Sequence, residues 1–109
     1  MGQFVDNLKS LPPAENVVLL RLYDAQDRLV SLIPNLAGKS GPLRVFHHIA
    51  GEKEVIDANA AREGLRIFGE YIEKAQNHPG RHQKIEMLMN LKPSERIRVQ
   101  TVTSSHKNL

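Results

Sequence analysis

Any chemistry in this chain would have to start from histidine, because its 109 residues contain five His and no Cys. Neutral imidazole is the commonest transition-metal ligand and titrates near neutral pH. His47 and His48 are adjacent, and His78 and His82 have the His-x3-His spacing that chelates a metal ion on one helical turn. Pro79 and Gly80 fall inside the second pair and argue against a continuous helix there. The candidate metal ligands are therefore His47, His48, His78 and His82, with Asp57 or Glu86 available as carboxylate partners. The competing reading is that these histidines make ordinary structural hydrogen bonds in loops and strands.

Other reactive patterns are weaker. The absence of Cys excludes disulfide frameworks, thiolate zinc sites, iron–sulfur clusters and cysteine nucleophiles. Gly38-Lys39-Ser40 matches the end of a phosphate-binding P-loop, but that motif needs a glycine where Ile33 stands and a helix where Pro42 is expected to lead into a strand. A turn is the expectation. Asp24 and Asp27 fall in a turn, Glu52 and Glu54 in a loop, and Glu63, Glu70 and Glu73 along a helix, all places where solvated carboxylates normally sit. No serine lies in a Gly-x-Ser-x-Gly elbow. No catalytic residue is assigned and no cofactor is implied.

The formal charge of +3 invites a nucleic-acid reading, but its distribution argues against one. Residues 1–91 carry eleven Lys and Arg against eleven Asp and Glu. The excess lies after Leu91, in Lys92, Arg96, Arg98 and Lys107 against Glu95 alone. A neutral body offers phosphate backbones no broad positive face, and the five aromatic residues fall mostly at core-like spacings. No apolar run approaches the roughly 20 residues that span a bilayer, and Met1-Gly2-Gln3-Phe4 does not begin a signal peptide, so a cytoplasmic location is expected.

The elements that must position these residues can be read in order. Phe4, Leu8 and Leu11 share a helical face before Pro12-Pro13. Val17–Tyr23 is almost continuously apolar, as a central strand is, and Asp24-Ala25-Gln26-Asp27 turns it into a second run, Arg28–Ile33. Leu43–Ile49 reads as a third strand, which would put His47 and His48 on opposite faces. A long helix is expected from Asp57, its N-cap, to Gln76, with Arg66–Glu70 and Glu70–Lys74 pairs at i,i+4. Gly64 and Gly69 within it each cost roughly 1 kcal/mol relative to Ala, so a close neighbour is expected beside Gly64, either the sheet or a partner subunit. A shorter helix runs from about His82 to Leu91, and Ile97–Thr103 is a candidate edge strand before a disordered end.

Leu22-Tyr23-Asp24-Ala25-Gln26, Phe46-His47-His48 and Asn77-His78-Pro79-Gly80-Arg81-His82 resemble an uncharacterised bacterial domain-of-unknown-function family over roughly residues 4–91. The resemblance implies a bacterial cytoplasmic protein and carries over no catalytic residue.

The expected fold is α+β, a three- or four-stranded mainly antiparallel sheet packed by one long and two short helices, in a single domain over 1–91 with a basic tail over 92–109. The strands offer more apolar positions than one packed face consumes, so a second copy or a protein partner is the expected cover. The leading functional expectation is a homodimeric, non-catalytic binding or accessory module. Its rivals are a metal- or small-ligand-binding enzyme using the histidines, and a tail that docks nucleic acid or an acidic partner.

Overall fold

Residues 3–104 are described by the structure, a computed structural model. β1 (Val17–Tyr23) and β2 (Leu29–Pro34) form the expected hairpin, closed by Asp24, whose carboxylate accepts the backbone N–H groups of Gln26 and Arg28, both at 2.9 Å. This is the local bonding that makes Asp a turn former. β4 (Ile97–Thr103) pairs antiparallel with β1 along its length, and the two-residue β3 (Val55–Ile56) pairs with the start of β4. The sheet is four-stranded and antiparallel, in the order β2-β1-β4-β3. With its helices it makes the α+β architecture expected.

Several expectations are corrected. Ile97–Thr103 is an interior strand rather than an edge, because β1 and β3 flank it. Just before β3 begins, Glu54 extends the pairing: its carbonyl accepts the Val99 N–H at 2.8 Å and its carboxylate the Thr101 N–H at 2.9 Å. The disordered end foreseen after Thr103 lies, from Ser105 on, outside the described residues.

Leu43–Ile49 is helical, within α2 (Gly41–Ala50). Pro42 occupies its first turn, where a missing N–H does no harm, and Gly51 ends it at φ 65°. This helix touches all four strands on one side and packs against α3 (Ala58–Phe68) on the other. Leu43, Val45, Phe46, Ile49 and Ala50 are buried in it. A helix covered on two sides keeps only a narrow polar face, here Arg44, His47 and His48, and a short run so rich in apolar residues has the composition of a strand.

The long helix is two. α3 begins at Asp57 as expected, with its carboxylate accepting the Ala60 N–H at 2.8 Å, but ends at Gly69, φ 58°. α4 (Tyr71–Asn77) then starts in a new direction, and α5 (Gln83–Met89) follows the Pro79-Gly80 turn. The break removes the i,i+4 pairs: Arg66 instead bonds Glu63 at 2.6 Å, and Glu70 accepts the N–H of Phe4 at 2.7 Å. α1 (Phe4–Leu8) is thereby tied to the α3–α4 corner, where the Asn7 amide also donates to the Ile67 carbonyl at 3.0 Å. Gly64 does have a close neighbour, but it is neither the sheet nor a partner subunit. A Cβ there would lie 2.8 Å from Ile49 of α2 and 3.0 Å from Leu88 of α5.

All the helices gather on one side of the sheet, with α2 against the strands and α1, α3, α4 and α5 beyond it. The core lies between: Leu20, Leu22 and Val99 of the sheet and Leu43, Val45 and Phe46 of α2 are fully enclosed. No buried residue among those described is polar or charged.

Candidate functional site

The four candidate metal ligands lie in two places, the last turn of α2 and the connection between α4 and α5. His47 and His48 lie in the last turn of α2. The strand argument that set them on opposite faces therefore does not apply, since successive residues on a helix are about 100° apart. His78 is the residue after α4, exposed, and His82 the residue before α5, half-buried with its ring centroid 6.3 Å from that of Tyr71. Among the described residues, no group of three or more His, Cys, Asp or Glu side chains is placed to hold a metal ion.

His82 instead belongs to a cleft of about 520 Å³ on the helical side. Its floor is apolar: Phe4 and Leu8 of α1, Phe68 of α3, Tyr71 of α4 and Ile85 of α5. Phe4 organises it, stacking on Phe68 with ring centroids 5.2 Å apart and meeting Tyr71 edge-on at 5.3 Å, the two arrangements aromatic quadrupoles favour. Lys39, Arg81, His82 and Lys84 stand around the floor, and no carboxylate is among the lining residues. Gly41 forms a wall because a side chain there would press on Phe4, its Cβ 3.0 Å from the ring.

Gly38-Lys39-Ser40 contributes Lys39 to this cleft, and the segment does lead into a helix, contrary to expectation. It is still not a P-loop. Ile33, where the motif needs glycine, is buried within β2, and the sheet is antiparallel throughout. The sequence offered Lys39 and His82 as candidates for chemistry and read Phe4 and Leu8 only as one face of a short helix; it did not bring these residues together, because they come from elements that only the Gly69 break and the docking of α1 assemble.

The other notable surface is the open face of the sheet. Over β1 and β4 it carries a polar lattice. Arg98 donates to Asp27 at 2.6 and 3.0 Å and lies 4.2 Å over the Tyr23 ring, while Tyr23 and Arg21 both donate to the side-chain carbonyl of Gln100. Over the edge strand β2 the surface is apolar instead, with Leu29, Val30 and Leu32 about half exposed.

Ionisation is perturbed at few places. The Arg28 and Gln26 backbone N–H groups and the Arg28 guanidinium hold Asp24 below the usual carboxylate range. Glu63 is likewise lowered by its bond from Arg66, whose own pKa rises in return. Both carboxylates are thus held ionised.

No helix of the described residues is long and apolar enough to cross a membrane. No curated protein and no solved structure matches the chain. A family model does match, over residues 4–101, and so takes in both the cleft and most of β4. The chain belongs to that family, DUF2322, described as uncharacterised protein conserved in bacteria.

Proposed function

We propose that the chain is a non-catalytic binding or accessory module of the bacterial cytoplasm, working as a homodimer joined along β2. One observation carries this reading: β2 is a free sheet edge, and Leu29, Val30 and Leu32 on it are 52, 46 and 49% exposed. Val18, whose carbonyl accepts the Asn35 N–H, and Leu36 continue the patch. Edge strands are normally protected by charges, prolines or bulges. β2 has no charged residue; its protection is limited to Pro34 at its end and an irregularity in register at Val30. A second copy, paired antiparallel across a two-fold axis, satisfies both free ladders and sets the two apolar strips side by side, so that each shields part of the other, since such an interface uses the same surface twice.

Sedimentation equilibrium at about 50 µM, well above the dissociation constant of a stable dimer, tests the assembly. The wild type is expected at twice the chain mass and Leu32→Lys at the single mass, with unchanged circular dichroism. A wild type that stays monomeric at that concentration rejects the homodimer.

A further inference from the structure

We propose that the cleft beside Phe4 binds a small amphipathic anion, a planar aromatic body carrying a phosphate or carboxylate. The proposal rests on the reading of the chain as a binding module, in that no bond is made or broken there, and it is independent of the dimer.

The head group is argued from charge. Lys39, Arg81 and Lys84 stand on the cleft with no hydrogen-bond or ion-pair partner for their side chains among the described residues. His82 stands beside them as a fourth nitrogen-bearing side chain. The neighbouring acids are turned to other work: Glu70 accepts the Phe4 N–H and Glu86 the Gly80 N–H, each at 2.7 Å. Residues 1–91 balance eleven cations with eleven carboxylates, so three unpaired cations on one concavity are a local excess that an anion would neutralise.

The body is argued from the floor. Val5 at the mouth is 65% exposed, and the half-buried rings of Phe4 and Tyr71 present apolar surface to solvent. A bare anion would leave that floor wet, and an uncharged apolar molecule would cover cations without pairing them. A ring system with an acidic substituent meets both requirements, since rings already arranged stacked and edge-on offer a further aromatic plane the same geometry. The volume of about 520 Å³ falls within the range of small-molecule sites, roughly 300–1,000 Å³.

The test uses the full chain, isotope-labelled for amide chemical-shift mapping, with four probes: 1-naphthyl phosphate, 1-naphthoate, 1-naphthol and inorganic phosphate. Saturable shifts at Lys39, Gly41 and Lys84 are expected with at least one aromatic anion, and the tighter of the two names the head group. Naphthol and inorganic phosphate should each bind about tenfold more weakly or worse, the loss of one modest interaction. In the Arg81→Gln/Lys84→Gln variant, whose altered side chains are not buried, affinity for the aromatic anion should fall about tenfold while that for naphthol stays unchanged. Three results overturn the proposal: no shifts at the cleft with either aromatic anion, equal binding of naphthol, or equal binding of inorganic phosphate. Shifts confined to β2 would place the binding elsewhere and reject it too. A monomeric wild type would leave all these outcomes readable, so failure of the dimer and failure of the ligand are distinguishable.

Discussion

The two faces of the sheet solve the same problem in opposite ways. On one, α2 lies against all four strands and is itself covered by α3, so apolar side chains close completely over one another. On the other no helix is packed, and β1 and β4 protect themselves with side chains that reach across the strands: Arg98 to Asp27 and Tyr23, and Arg21 and Tyr23 to Gln100. Only β2 has neither helix nor lattice over its exposed side. The difference teaches that the exposed apolar strip is concentrated on β2, with Val18 of β1 at its margin, and gives way to polar side chains where Arg21, Tyr23, Arg98 and Gln100 reach across β1 and β4.

If the covered face holds the fold together, removing a ring from it should have the largest effect on stability. Phe46 has no exposed surface, and Phe46→Ala is expected to lower the unfolding free energy by about 3–5 kcal/mol, measured by urea denaturation. A loss below about 1 kcal/mol would mean that the packing of α2 between the sheet and α3 is not what holds the fold together. Gly64 examines the next layer. A side chain there meets Ile49 and Leu88, both enclosed, so Gly64→Leu should cost about 2–3 kcal/mol although leucine is the better helix former. Equal or greater stability in the variant would show that α2, α3 and α5 can separate without penalty.

The open face should respond less. Arg98 combines an exposed ion pair with a cation–π contact, each worth well under 1 kcal/mol to about 1 kcal/mol, so Arg98→Ala is expected to cost about 1 kcal/mol by the same measurement. A loss as large as that of Phe46→Ala would erase the contrast between the faces.

How far the sequence disclosed this arrangement depended on how local each signal was. The hairpin was legible because Asp24 and its neighbours bond within a few residues, and so was the start of α3, where Asp57 caps its own helix. α2 was not, because the pattern Leu43-Arg44-Val45-Phe46-His47-His48-Ile49 fits both periods. The punctuation would have decided it: Pro42 stands just inside the start and Gly51 just past the end, the asymmetry of a helix. Gly69 showed only as an unfavourable residue in a helix, not as the break that turns Tyr71 toward Phe4. Ile97–Thr103 alternates as an edge strand would, and its interior place depends on β3, two residues long, and on Glu54. The cleft was least legible. Most of its residues carry no motif, and their juxtaposition is a product of tertiary packing. The histidines, which did attract attention, are spread over separate elements, with His82 alone lining the cleft.

The smallest expected effect is also on the open side, at the hairpin that leads into β2. Asp24 is half-buried and its folded pKa is depressed, chiefly by the Arg28 backbone N–H and further by the Arg28 guanidinium and the Gln26 N–H. A depressed carboxylate binds protons less readily in the folded state than in the unfolded chain. Its contribution to stability is therefore complete above the ordinary value of 3.8 and is lost as pH falls through the lower folded value. Asp24→Asn removes the titration but keeps an oxygen that can accept one of the N–H groups. The difference in unfolding free energy between wild type and variant should be small, constant from neutral pH down to about pH 5, and should shrink below pH 4. A difference that stayed flat across that range would mean the carboxylate's charge is irrelevant to the turn, leaving hydrogen-bond geometry alone to hold the hairpin against β4.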